Sequence, residues 1–348
     1  MSRRQFLPSS IPLIQAPMAG AQGPALAIAV CEAGGLGSLP CAMITATQLR
    51  DQAAQVRAAT NAPFNLNFFC HRPSARDDAA ETAWRTALGA YFAEKNIDPQ
   101  AIPQGGARNP FDADYCAAVE DVRPAVVSFH FGLPERALLE RVKKAGALVL
   151  SSATTVEEAR WLEEHGADVI IAQGNEAGGH RAMFLTADTD AQPGLFALLP
   201  QIRDAVRVPV VAAGGIADAR GIRAAFALGA DAVQIGTAYL RTPQATITPF
   251  HRAALARARD DGTRLTNLFT GRPARGILNR FMREQGPISD TAPAFPTAGA
   301  AVAPLRAAAE KEGSDDFTPM WAGEAAALTR EADAGQLTRD LWTMAEKG

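Results

Sequence analysis

Short apolar, β-branched runs alternate along this chain with longer segments of helical period. The runs at 11–15, 36–39, 64–69, 125–132, 148–152, 168–172, 208–213 and 232–235 read as buried parallel strands, because strands covered on both faces lose the polar alternation of exposed sheets. Most are followed by a helical pattern, at 24–33, 45–58, 134–145, 155–165, 194–206 and 218–228. Pro24 suits the first turn of its helix and Gly34-Gly35 stops it; Thr154 or Thr155 starts another, with Glu157 and Glu158 beside it. The rhythm predicts an α/β fold, a TIM (β/α)8 barrel over residues 1–240, which agrees with the usual size of that fold.

Two segments break the rhythm. Between 71 and 122, helices near 76–95 and 111–121 flank the loop 104–110, a helical insertion after the third strand. From 241 to 325, helix-forming stretches at 249–260 and 303–312 are separated by Gly- and Pro-rich loops at 270–276 and 285–299, which reads as a cap domain over the barrel mouth. A last helix over 322–346 then packs 326–348 back on the barrel as its outer eighth helix.

The composition narrows the function. With 348 residues and 47% hydrophobic positions the chain can bury a large core, and a net charge of −3 gives no basic footprint for nucleic acid. Cys31, Cys41, Cys70 and Cys116 have no paired spacing for zinc, so metal ligation is not expected and reduced thiols of a cytoplasmic protein are. Ser2-Arg3-Arg4 faintly resembles a twin-arginine signal, but Pro8 and Pro12 interrupt the apolar stretch such a signal needs. No run is long and apolar enough for a membrane helix.

Candidate chemistry sits at the carboxyl ends of the late strands, where barrels bind ligands. The sixth strand runs into Gln173-Gly174-Asn175-Glu176-Ala177-Gly178-Gly179-His180, a turn in which paired glycines let backbone N–H groups approach a ligand. Gly214-Gly215-Ile216 and Gly236-Thr237 end the seventh and eighth strands, the usual phosphate position of this fold. One such turn alone is equally a packing glycine at a crowded rim; two in register favour phosphate. Neither a Rossmann fingerprint nor a P-loop occurs. Asn65 and Asn67 share a strand face, and His130 ends the fourth strand pointing into the mouth. His71 is balanced between site and core, while His165 and His251 are expected at the surface.

Together, 15–21 (QAPMAGA), 65–68, 174–181 (GNEAGGHR), 213–216, 234–237 and 271–275 resemble the nitronate monooxygenases, formerly 2-nitropropane dioxygenases, over about residues 11–325. The resemblance implies an FMN-dependent barrel oxidising alkyl nitronates, such as propionate 3-nitronate, with dioxygen to a carbonyl compound and nitrite or nitrate. It implies FMN phosphate at Gly214, Gly215, Gly236 and Thr237. Asn67, Gln173, Gly178 and Gly179 would serve the flavin ring and ribityl chain, Pro17, Met18 and Ala19 would pack on the ring edge, and Gln234 would also bind the cofactor. His180 would be catalytic and His130 substrate-binding. A near-neutral imidazole suits His180 to hydrogen-bond a nitronate or to accept the α-proton of a nitroalkane. Where family members carry tyrosines and a lysine in the cap, this cap offers Phe281, Phe295 and Arg306.

Two other functions use the same scaffold. Relatives sharing the Gly-Gly-His turn are NAD(P)H-dependent FMN reductases of quinones or enoyl-acyl carrier protein, and a barrel can bind flavin without catalysis. The expected partners are a small-molecule nitronate and O2, with no nucleic acid or membrane, in a cytoplasmic monomer or homodimer.

Overall fold

A computed structural model of the chain describes residues 6–73, 77–102 and 110–347. The loop expected at 104–110 and the Ser2-Arg3-Arg4 stretch lie largely or wholly outside the described residues.

Eight parallel strands form the barrel: β1 (Leu13–Gln15), β2 (Gly37–Pro40), β3 (Phe64–Phe69), β4 (Val126–His130), β5 (Leu148–Ala153), β6 (Val169–Gln173), β8 (Val210–Ala213) and β9 (Ala232–Ile235), with β7 (Gly179–His180) outside it. They pair in the order β1-β9-β8-β6-β5-β4-β3-β2. Closure comes from Leu36, which accepts from Gln15 N–H and donates to the Leu13 carbonyl, both at 2.9 Å. No edge is left between β1 and β2.

The strands are built on two faces with different partners. Outward residues such as Val127, Phe129, Ile170, Ala172, Val210 and Val233 join the apolar clusters that receive the outer helices. Inward residues Ile14, Val126, Leu150, Val169, Val211 and Ala232 fill the lower barrel. Further along the same inward face polar side chains appear: Ser128 and His130 follow Val126, and Gln173 follows Val169 and Ile171. The two-residue period of the strands therefore carries the core upward into a site.

The outer helices follow the sequence pattern closely: α1 (Pro24–Glu32), α2 (Ala46–Ala59), α5 (Ala113–Val122), α6 (Arg136–Lys144), α7 (Val156–Glu164), α8 (Leu195–Ala205) and α9 (Ala219–Ala227). Thr45 and Gln48 form a reciprocal capping box on α2, and Thr155 caps α7 through the Glu158 N–H. The last helix, α13 (Ala334–Glu346), starts later than expected and buries Leu337 and Leu341 in the cluster that holds Ile222 of α9 and Leu26 of α1. Residues 322–333 are instead an irregular segment with a short 3-10 turn at Glu324–Leu328.

Two findings have no counterpart in the sequence pattern. First, β10 (Thr263–Thr266), β11 (Ala274–Ile277) and β7 form an antiparallel sheet, with Ala274 opposite His180 and Arg275 opposite Gly179. The Gly-Gly-His turn is thereby tied to the segment after the barrel. Second, α3 (Asp78–Ala87) and α4 (Gly89–Glu94) of the insertion share one apolar cluster with α11 (Arg280–Gln285) and α12 (Ala298–Lys311). Trp84 Nε1 donates to the Ala298 carbonyl at 3.2 Å, and the Tyr91 ring lies 5.7 Å from Phe281 and 5.2 Å from Phe317. Among the described residues no helix is long and apolar enough to cross a membrane.

Candidate active site

One cavity opens over the carboxyl ends of the strands, and every residue expected at the site lines it: Pro17, Met18, Ala19, Asn67, His130, Gln173, Gly178, Gly179, His180, Gly214, Gly215, Gln234, Gly236 and Thr237. Residues far apart in sequence reach it because all the strands run the same way.

One wall is made of backbone. Gly214 and Gly215 have φ of +114° and +67°, a region that favours glycine, and turn the chain at the end of β8. At Gly236 a Cβ would press on the Ala16 Cβ at 3.3 Å and the Met18 Sδ at 3.6 Å. The 16–22 turn opposite is pinned by a buried amide pair: Gln22 Oε1 accepts from Met18 N–H at 3.0 Å and from Gln15 Nε2 at 2.6 Å, while Gln22 Nε2 donates to the Ser38 carbonyl at 2.7 Å. Thr237 Oγ1 accepts from Gly323 N–H at 2.9 Å, tying this wall to the irregular segment. Gln234 Oε1 is buried with no hydrogen-bond partner, an acceptor whose desolvation only a bound donor would offset. On the floor, Asn67 Nδ2 donates to the Ser128 Oγ at 2.9 Å.

The other wall is aromatic and carries the histidines. The His180 ring is boxed by Phe69, Phe131, Phe295 and Trp321, with centroids at 6.0, 6.0, 5.5 and 5.7 Å. Its Nε2 lies 3.0 Å from Thr270 Oγ1. Its carbonyl accepts from Gln173 Nε2 and from His130 Nε2, each at 3.1 Å. Burial, partly opposed by that bond, pushes His130 down to about 3, so this ring is neutral at physiological pH and donates through Nε2. His71 packs edge-on to Phe295 at 4.8 Å.

Behind the turn lies a set of arginines whose role is to hold the main chain. Arg181 is fully buried and donates to the Gly174 carbonyl at 2.6 Å, the Gln173 carbonyl at 3.0 Å and Gln192 Oε1 at 3.1 Å. Burial, and then the charge of Arg275, lowers it to about 10, which leaves it cationic. Arg275 donates to the Asn175 carbonyl at 2.9 Å and pairs with Glu324 at 3.1 Å. Glu176 accepts from the first N–H of α8, Leu195, at 2.8 Å, so this cavity carboxylate serves as a helix cap.

Within 241–325, Phe295 packs on the His180 ring and Arg306 lines the cavity, whereas Phe281 is buried in an apolar cluster with Phe317. His251 corrects the surface assignment. It is 6% exposed, lines the cavity from α10 (Pro249–Ala256) and has no hydrogen-bond partner at Nε2. Burial, partly offset by the Trp321 backbone, lowers it to about 4. Its spacing from the other motifs gave no signal, because an isolated histidine early in a helix looks the same at a surface. His165 is exposed and stacked on Trp161 at 3.9 Å. Trp321, Thr318 and Met43, which the sequence pattern did not single out, also line the cavity.

A closed parallel barrel with glycine turns ending its last two strands and a histidine at its mouth defines an enzyme fold of the (β/α)8 class. The family model for nitronate monooxygenase matches residues 3–343, and the chain belongs to that family, one of flavoenzymes. It is 44% identical over 336 residues to the nitronate monooxygenase of Pseudomonas aeruginosa, covering 95% of each chain. It is 43% identical to that of Paraburkholderia phytofirmans, covering 95% of this chain and 91% of the relative. Among solved structures it resembles a nitroalkane oxidase from Streptomyces ansochromogenes, with a TM-score of 0.90, 41% identity and coverage of 98% and 97%. FabK from Thermotoga maritima is more distant, at a TM-score of 0.71, 26% identity and coverage of 97% and 94%.

Proposed function

We propose that this enzyme binds FMN and oxidises alkyl nitronates with O2, yielding a carbonyl compound and nitrite or nitrate. The observation that carries the reading is one cavity with a backbone phosphate cradle on one side and His180 in an aromatic box on the other. The residues present fit the cofactor: Gly214, Gly215, Gly236 and Thr237 would hold the phosphate through backbone donors, and the unpartnered Gln234 Oε1 would accept from the isoalloxazine. Gln173, Asn67 and the Gly178-Gly179 turn would border the ring and ribityl chain, with Pro17, Met18 and Ala19 on its edge. Bound FMN supplies the electron transfer between nitronate and dioxygen.

The chain's own residues bind and orient. His180, when protonated, donates to the nitronate oxygens; when neutral, it accepts the α-proton of a nitroalkane. His130 fixes the His180 main chain and lines the substrate space. The aromatic box excludes water, and the cap, 241–325, closes the mouth. Arg306 lines the cavity and suits a substrate that also carries a carboxylate, such as propionate 3-nitronate. The same reading places a monomer or homodimer in the cytoplasm, with no nucleic acid or membrane partner.

Two measurements test it. The flavin released by heat should be FMN by mass, since a single cradle is present; stoichiometric FAD overturns the cofactor assignment. In an anaerobic stopped-flow run, nitronate should bleach the bound flavin. Bleaching by NAD(P)H alone would support a reductase instead, and bleaching by neither a non-catalytic barrel. His180→Asn should retain FMN, lose about 10²–10⁴-fold on neutral nitroalkanes, and lose less on a preformed nitronate, which has already given up its proton.

A further inference from the structure

Thr270 is 4% exposed and sits in the turn between β10 and β11. Gly271, at φ +83°, fixes that turn: a Cβ there would lie 2.1 Å from the Pro293 carbonyl, so the backbone packs directly on the loop that carries Phe295. Among the described residues, three polar groups lie within hydrogen-bonding distance of Thr270 Oγ1. His180 Nε2 is at 3.0 Å, the Arg272 carbonyl at 3.3 Å and the Arg272 N–H at 3.4 Å. A hydroxyl has one proton and two lone pairs, and the two Arg272 contacts can use the proton and one lone pair. That assignment leaves the second lone pair for His180 Nε2.

From this we propose that Thr270 is a positioning residue that holds His180 in its Nε2–H form, so that Nδ1 carries the lone pair that accepts the substrate proton. The arrangement suits both states of the base. Neutral Nε2–H imidazole donates to Thr270, and so does the imidazolium, whose Nε2 can only donate. The opposite tautomer would draw the hydroxyl proton away from the Arg272 carbonyl and force the bond to reverse once the ring is protonated. In the step itself, the C–H bond next to the nitro group breaks, Nδ1–H forms, and the electron pair moves into the C=N bond of the nitronate. No electron is gained or lost.

The charged groups around the ring make a neutral acceptor valuable. Arg181 follows it in the chain, Arg275 lies on the paired strand β11, Arg272 stands over Phe131 at 3.8 Å, and Arg306 lines the far wall. His71 reaches the box through Phe295, His130 holds the His180 carbonyl, and His251 lines the same cavity. The carboxylates of the region are engaged: Glu176 with Leu195 N–H, Glu324 with Arg275, and Glu158 with Phe184 N–H. The Thr270 oxygen, 3.0 Å from Nε2, can stabilise an imidazolium here without adding charge.

The inference rests on the reading that the site accepts neutral nitroalkanes, and the experiment separates the two. Flavin-loaded protein labelled with 15N-histidine carries five histidines, and His180→Asn assigns the signal of interest by its loss. The wild-type ring should show a pyrrole-type Nε2 and a pyridine-type Nδ1. In Thr270→Val the two tautomers should mix, the acid limb of nitroalkane turnover should move to lower pH by about one unit, and the plateau rate should fall roughly tenfold. Thr270→Ser should restore all three readouts, which a purely structural role would not require. An Nδ1–H ring in the wild type overturns the proposal without any variant, as does a Thr270→Val protein with unchanged tautomer and limb. If the tautomer shifts as expected but wild-type enzyme never consumes a nitroalkane, the base role of Nδ1 is overturned and the Thr270 pairing alone stands.

Discussion

His130 Nε2 lies 3.1 Å from the main-chain oxygen of His180, joining the end of a barrel strand to the short strand β7 that pairs with β11. The bond requires an N–H on His130, and burial keeps the other ring nitrogen unprotonated by lowering the group to about 3. A ring at this place acts first on the backbone of the Gly-Gly-His turn.

This has a consequence for pH. His130 and His251 both have folded values below the unfolded value of about 6.5, at about 3 and about 4. The unfolded chain therefore binds their protons first, and protonation favours unfolding. Their stability contribution is complete above pH 6.5 and falls away as pH drops toward 4 and then 3, by on the order of 1.4 kcal/mol per unit for each ring. Melting temperature followed from pH 7 to pH 4 should decline, and His251→Gln should flatten the decline. An equal slope in wild type and variant would rule the group out as its source.

Gly178 and Gly179 should not tolerate alanine equally. At Gly178 a Cβ would lie 2.5 Å from Gly323 N and 2.6 Å from the Ala322 carbonyl carbon, backbone that cannot swing aside. At Gly179 nothing lies within 4 Å, and only the φ of +72° opposes a side chain. Gly179→Ala should cost about 1–2 kcal/mol, and Gly178→Ala more, with loss of bound flavin. Urea unfolding together with flavin absorbance compares the two.

Glu158 is a fully buried carboxylate that accepts from Thr154 N–H and Oγ1, both at 2.7 Å, and from Phe184 and Leu185 N–H at 2.6 and 3.1 Å. It pins the chain leaving the Gly-Gly-His turn to the end of β5. Glu158→Gln would set an amide NH2 against a donor, leaving buried donors unmatched at roughly 1–3 kcal/mol each. A lowered melting temperature with near-normal activity of the folded fraction is the expected result.

Arg306 is the sole lysine or arginine among the described residues lining the cavity, and Glu310 fixes it through a 2.7 Å bond. Arg306→Gln should raise KM for a carboxylate-bearing nitronate by about 10–100-fold, the equivalent of a charge-assisted hydrogen bond. A plain alkyl nitronate should be nearly unaffected. Equal effects on the two would assign Arg306 to packing of α12.

The strand and helix alternation, the glycine turns ending β8 and β9, and the turn from Gln173 to His180 were all legible in the sequence. Parallel strands covered on both faces leave apolar runs, and a rim that takes backbone rather than side chains leaves glycines; both signals are local. The tertiary structure alone decided that β7 pairs with β11, that α3 and α4 share a core with α12, that His251 and Trp321 reach the His180 cavity, and that Thr270 meets the His180 ring. Such contacts join positions many tens of residues apart, and they follow from how closed layers pack rather than from any periodicity the chain carries.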